Sequence, residues 1–361
     1  MLRTAVVVLA LYALSATSLP HLSPIFAAGA HGYVCFRIPS AVRAPSGALL
    51  VFAEARADCA DGSPLNDVVL SRSLDNGASW SPPAVIFSGF GRFDYRNPTA
   101  VFSGSGALLL QFVNATRGPW ITLQLTSRDE GVSWGPPRDP ELGAAASFLP
   151  GPANGLLLSA KSAAPGRVLM CGTNRYDPTR APSVATGARV WFSDDADGAP
   201  GTWASPAATF APNMSALSEC AMAELGNGSV LINFRVEVRG PCRCRSQALS
   251  ADGGATWSAV VAVPELTEPV CSAGLLQLSN GRGLLFSNPA TLGSRVNMTV
   301  RRSMDGGLTW PDAQQIWPGG SAYSVLVPVG SAGAAGVVFE TMDAAGYSGI
   351  VFALVPPFAG G

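Results

Sequence analysis

Two histidines, His21 and His31, are all the chain has, and both lie close to its N-terminus. A His-based triad, a His-rich zinc site and a histidine general base fit such a sequence poorly. Chemistry falls to Asp, Glu, Tyr and Arg. Carboxylates move protons, and a phenol, with a pKa of about 10, attacks only once a base takes its proton. Guanidinium groups grip carboxylates or phosphates at two points in a plane. The one lysine is Lys161, so 22 of the 23 basic residues are arginines. One of them stands in Phe36-Arg37-Ile38-Pro39, where the Ile-Pro step predicts an extended backbone. Alone, four residues specify little.

Elements that could position such groups are announced by a repeat. The phrase Ser-x-Asp-x-Gly-x-(Ser/Thr)-Trp occurs at Ser73–Trp80, Ser127–Trp134, Ser250–Trp257 and Ser303–Trp310, with a frayed copy from Ser193 through Asp194 and Asp195 to Trp203. The serines are 54, 66, 57 and 53 residues apart, a period that means one supersecondary unit is repeated. Within each phrase the Asp accepts backbone N–H groups in a turn and the Gly permits positive φ. The Trp packs between sheets with its indole N–H available to a partner. The boxes therefore read as staples of the fold. Between them run strand-length apolar stretches such as Ala48–Ala53, Ala107–Val113 and Ser229–Phe234, and 40 glycines with 29 prolines argue against long helices. Four antiparallel strands with turns take roughly 45 to 55 residues, which predicts an all-β, six-bladed β-propeller of four antiparallel strands per blade.

Composition narrows the class further. A net charge of −1 offers no basic field for nucleic acid. Residues 1–18 read as a secretory signal: Arg3 opens it, Ala5 to Leu14 is apolar, and Ser15 to Ser18 supplies small residues for cleavage. That run is too short to span a bilayer, so stable membrane insertion is not expected. One domain is expected over 30–357. Sequons at Asn114, Asn213, Asn227 and Asn297 suit the secretory route, with a secreted, lysosomal or lumenal, or membrane-associated destination. Seven cysteines suit an oxidising compartment and leave one unpaired, and the Cys242-x-Cys244 spacing is not that of zinc ligands.

Taken together, Phe36-Arg37-Ile38-Pro39 and the downstream boxes resemble the sialidase (neuraminidase) superfamily, from Arg37 to Glu340. The resemblance implies an exo-α-sialidase acting on sialylated glycans, with no cofactor or metal. Alternatives are a trans-sialidase and a non-catalytic sialoglycan-binding Asp-box propeller. Three arginines would clamp the substrate carboxylate. Arg37 matches the first. Arg235, 16 residues after Glu219 in the family-like Ser218–Gly228 segment, matches the second, and Arg295, eight residues before Ser303, the third. Arg239, Arg243 and Arg245 fall outside that register. Tyr323 matches the nucleophile, since a neutral phenol avoids the repulsion a carboxylate would meet. Glu219 matches its base, with Glu224 as competitor. Asp61, in Cys59-Ala60-Asp61-Gly62, matches the acid/base, with Asp58 as the alternative and Asp67 read as structural. Glu340 would orient Arg37, while Arg56 and Asn97 would contact the sugar. Trp120 is a candidate for the wall of an N-acetyl pocket.

Overall fold

The computed structural model describes residues 19–61, 66–89, 92–116, 120–142, 148–174, 187–205, 210, 216–237, 242–279, 283–330 and 333–358; the expected signal at 1–18 lies outside them. After β1 (Ser23–Ala27) and a 3-10 turn, β2 (Cys35–Arg43), β3 (Leu49–Arg56), β4 (Asn66–Ser73) and β5 (Ala84–Phe87) form a four-stranded sheet in sequence order. A three-stranded sheet follows, of β6 (Tyr95–Phe102), β7 (Leu108–Asn114) and β8 (Ile121–Ser127). The next holds β9 (Phe148–Pro150), β10 (Leu156–Leu157), β11 (Val168–Asn174), β12 (Gly187–Ser193) and β13 (Trp203–Ala204). Then come β14 (Leu217–Glu224), β15 (Val230–Val236), β16 (Cys244–Ser250) and β17 (Val261–Thr267), again four-stranded. The last sheet contains β18 (Gly274–Gln277), β19 (Leu284–Pro289), β20 (Val296–Ser303), β21 (Asp312–Val329), β22 (Ala334–Asp343) and β23 (Gly346–Leu354), with β1 paired to β23. The fold is all-β, and neighbouring strands run antiparallel.

Apolar side chains fill the spaces between consecutive sheets. Phe52, Leu70, Leu110 and Phe112, for example, join the first sheet to the second, and Leu169, Val190, Ile232 and Phe234 join the third to the fourth. The leading strands pack on one another in turn: β2 on β6, β6 on β9 and β10, β10 on β14, β14 on β18, β18 on β21, and β21 back on β2. The polar ends of these leading strands are where the candidate residues cluster.

The boxes lie at the other end. In the first sheet Cys35, Arg56 and Asn66 mark one edge of the register, while Arg43, Leu49 and Ser73 mark the opposite one, where the box begins. Asp75 accepts the N–H (2.9 Å) and hydroxyl (2.5 Å) of Ser79, and the Ser73 hydroxyl donates to Asp75 (2.8 Å) while accepting Gly77 N–H (2.8 Å). The other three clean copies repeat this pattern. In the frayed copy Asp195 still gathers two N–H groups, those of Asp197 (2.9 Å) and Ala199 (3.0 Å), but across a longer turn. The tryptophans depart from expectation. Only the frayed copy's Trp203 donates its indole N–H, to Gly198 O (3.0 Å); in the four clean boxes the indole nitrogen is buried without a hydrogen-bond partner. Packing on neighbours such as Phe52 and Phe286 is what holds Trp134 and Trp310.

The backbone at Ile38 also differs from the extended form expected. Its φ is 59°, in a bulge between Arg37 and Ser40. A left-handed residue costs about 1–2 kcal/mol. The compensation is a buried hydrogen bond from Ile38 N–H to Oε1 of Glu340 (2.8 Å), of a kind contributing roughly 1.5–3 kcal/mol. Arg96-Asn97-Pro98 repeats the device: Asn97 has φ 53° at a bulge, and its N–H donates to Oε1 of the buried Glu54 (2.7 Å). Bulges also interrupt β14 around Ser218 and Glu219 and β21 around Ala322 and Tyr323. Bulges re-aim side chains, and here they occur where the candidate residues sit.

Candidate active site

Three of the predicted residues meet at one hydroxyl. Tyr323 Oη donates to Oε1 of Glu219 in a short hydrogen bond, and Nη1 of Arg235 donates both to Tyr323 Oη (2.9 Å) and to Oε2 of Glu219 (2.6 Å). The guanidinium carbons of Arg37 and Arg295 each lie 5.4 Å from the Tyr323 ring centre. All three arginines thus converge on one tyrosine. Burial pushes the Tyr323 phenol well above its ordinary range and the adjacent Glu219 charge adds to the rise, while Arg235 and Arg295 pull against it. The hydroxyl is therefore neutral around pH 7, with its proton already aimed at a carboxylate.

Glu340 sits beneath this group, completely buried. It accepts from Arg37 Nε (2.9 Å) and Nη2 (3.4 Å), from Ile38 N–H and from Tyr323 N–H (3.1 Å). One carboxylate thereby fixes both the arginine and the strand that carries the tyrosine. Glu340→Gln would leave the Arg37 guanidinium, 2% exposed, without its buried counter-charge. Breaking a buried pair from one side typically costs about 3–5 kcal/mol. We expect unfolding stability lowered by that order, seen as a lower melting temperature, and a raised KM for any ligand held by Arg37, both measurable on the purified variant.

Asp61 faces the group from the loop after β3. Cys59, two residues earlier, is disulfide-bonded to Cys35 on β2, which ties the loop beside Arg37. The Asp61 side chain is 78% exposed, and its Oδ1 accepts from Arg56 Nη1 (2.9 Å) and Arg37 Nη1 (3.3 Å). Partial burial works to raise this carboxyl; the Arg56 hydrogen bond and the charges of Arg37, Arg56 and Arg96 outweigh it and leave Asp61 below the usual carboxylate range. Arg56 is aligned by Glu54 (Nε to Oε2, 2.8 Å).

The competitors are engaged elsewhere. Asp58 caps its own loop by accepting Ala60 N–H (2.8 Å). Glu224 is bonded to Ser159 N–H and hydroxyl (2.7 Å each), away from Tyr323. Asp67 is structural, accepting the Tyr33 hydroxyl (2.5 Å), the Ser88 hydroxyl (2.9 Å) and Gly89 N–H (2.7 Å). Asn97 is buried and donates its amide to Pro150 O (3.0 Å), bracing β6 against β9. Trp120 lies under Arg96, with 5.5 Å from the guanidinium carbon to its ring. Arg239 lies outside the described residues. The remaining cysteines form Cys171–Cys220 and Cys242–Cys244, and Cys271 is free and buried.

Sequence reasoning missed three members of the group. The Tyr347 ring centre lies 3.7 Å from the Arg37 guanidinium carbon, and its hydroxyl accepts from Arg295 Nη1 (3.2 Å), joining two arginines. Glu237 forms an ion pair with Arg235 (3.0 Å), and Glu54 supports Arg56. The two glutamates were findable. Each stands two residues from its arginine: Glu54 shares β3 with Arg56, where alternate side chains share a face, and Glu237 follows one residue past the end of β15. Nothing in the repeat marks Tyr347.

The model of the BNR repeat-like domain family matches residues 47–335, and the chain belongs to that family. A sialidase of Micromonospora viridifaciens is 27% identical over 343 residues, 86% of this chain and 50% of its own. For a sialidase of Bacteroides fragilis the figures are 28% over 332 residues, 80% of this chain and 56% of its own. The chain therefore spans about half the length of the curated relatives it matches. Among solved structures, the Hadza microbial sialidase Hz136 shares the fold, with a TM-score of 0.78 at 24% identity, covering 92% of this chain and 68% of that one. Within the BNR repeat-like proteins, the chain is a member of the sialidase superfamily.

Proposed function

We propose that the protein is an exo-α-sialidase, a glycoside hydrolase that removes terminal α-linked sialic acid from glycans with retention. The observation that carries this reading is the convergence of Arg37, Arg235 and Arg295 on a tyrosine already hydrogen-bonded to a glutamate. A pure binding site has no use for a phenol poised against a base. Arg37, Arg235 and Arg295 take the substrate carboxylate, and Asp61 donates a proton to the glycosidic oxygen as the bond from the anomeric carbon breaks. Tyr323 Oη bonds to that carbon and its proton passes to Glu219. In the second half Asp61 removes a proton from water, the water oxygen replaces Tyr323 at the anomeric carbon, and Tyr323 regains its proton from Glu219. The arginines stabilise the charge that develops.

The fold reading extends in the same way. β20 pairs with the first part of β21 (Asp312–Gly320), and β22 with the second (Gly320–Val329). Divided there, the last sheet becomes two blades, and with the circular packing of the leading strands this supports six blades in one unit over 30–357. Three disulfides support passage through an oxidising compartment.

The test is turnover of a fluorogenic aryl α-sialoside followed by proton NMR. We expect release of the aglycone with the α-anomer of the sugar formed first. Binding without turnover would replace the hydrolase by a lectin, and preferential transfer to added lactose would replace it by a trans-sialidase.

A further inference from the structure

Arg245, outside the register of the sequence reading, is the largest fully buried side chain among the described residues. It donates from Nε to Asn233 Oδ1 (2.7 Å), and from Nη1 to both Glu268 Oε2 (2.7 Å) and Cys271 O (2.8 Å). Its contacts fall on either side of Val270, whose φ is 60°. For a β-branched residue that conformation is a genuine outlier, and strain of this sort persists only where surrounding bonds over-determine it. Glu268 and Cys271 supply those bonds through Arg245. The Thr267 carbonyl is held as well, by Asn288 Nδ2 (2.8 Å).

What the strained residue presents is its carbonyl, which accepts from Arg295 Nη2 (3.0 Å). The other oxygen of Glu268, Oε1, accepts the N–H of Val236 (2.8 Å), the residue next to Arg235. A single buried ion pair therefore braces the backbone at two of the three arginines, although it touches neither side chain. We infer that Arg245 and Glu268 are positioning residues that set the geometry of the Arg235 and Arg295 clamp, an inference resting on the reading of those arginines as carboxylate ligands.

Arg245→Lys keeps the buried charge but loses the planar fork that reaches Asn233, Glu268 and Cys271 O together. Losing one charge-assisted hydrogen bond's worth of alignment corresponds to about a tenfold change. The expected result for Arg245→Lys is a KM for the aryl sialoside raised about tenfold, a kcat within a few-fold of wild type and a lowered melting temperature from the buried hydrogen bonds lost. Glu268→Gln is expected to raise KM in the same direction. Amide hydrogen exchange gives a readout independent of turnover: in Arg245→Met, Val236 and the amides around Val270 are expected to exchange faster than in wild type. A KM unchanged in Arg245→Lys and Glu268→Gln while stability falls would overturn the inference, leaving a purely structural ion pair. Unchanged exchange at Val236 and around Val270 in Arg245→Met would overturn it too. A wild type without sialosidase activity would remove the proposed function instead. Positioning would then rest on the exchange result, faster exchange supporting it and unchanged exchange ending it.

Discussion

Tyr323→Phe is expected to lower kcat/KM for an aryl α-sialoside by at least about 10³-fold, since loss of a nucleophile leaves only binding and electrostatic stabilisation. The variant should fold. The ring, 7% exposed, keeps its place between Arg37 and Arg295, and the partners it loses retain each other through the Arg235–Glu219 pair at 2.6 Å. The stability cost is then bounded by the hydroxyl's two hydrogen bonds to charged groups, roughly 1.5–3 kcal/mol each. Glu219→Gln should lose activity comparably, because an amide can still accept the phenol's hydrogen bond but cannot take its proton. The double variant should be little worse than either single one, as residues acting as a unit are not additive. Because burial and Glu219 keep the phenol neutral, the pH profile should carry no limb from phenolate formation. Activity of Tyr323→Phe within tenfold of wild type would eliminate the tyrosyl intermediate.

The repeat made much of this site legible. Box serines supply a ruler, and counting from Ser303 and along the Ser218–Gly228 segment singles out Arg295, Glu219 and Arg235, which the fold then gathers around Tyr323. What sequence could not show is long-range. Glu268 reaches Val236 across 32 residues, and Tyr347 reaches Arg295 across 52. Neither pairing follows any local period. The left-handed turn at Ile38 was illegible for a related reason: Ile-Pro favours extension locally, and only Glu340, 302 residues away, overrides it. The acids two residues from Arg56 and Arg235 were within reach of the simple alternation of a strand. Counting by blade overlooks them.

Asp61→Asn should separate substrates by their leaving groups. For an aryl sialoside, whose phenolate departs without help, kcat/KM should fall by less than about tenfold, while for a sialyl disaccharide, whose sugar alkoxide needs a proton, it should fall by roughly 10²–10⁴. The second half-reaction needs Asp61 as a base with either substrate. The aryl substrate should therefore give a burst of released phenol followed by slow turnover. The electrostatics add a pH signature. In the free protein Asp61 is held low by Arg56 and Arg37, so its acid form, the one that donates, is lost at lower pH than for an ordinary carboxyl. Once a substrate carboxylate occupies Arg37, that positive charge is offset and the Asp61 carboxyl rises. The descending limb of kcat should consequently lie at higher pH than that of kcat/KM, because the former reports the complex and the latter the free enzyme. Asp58→Asn is the matched control: its carboxylate is spent on Ala60 N–H, so any loss should be equal for the two leaving groups. Equal losses in Asp61→Asn itself, or coincident limbs in the wild type, would move the acid/base role away from Asp61.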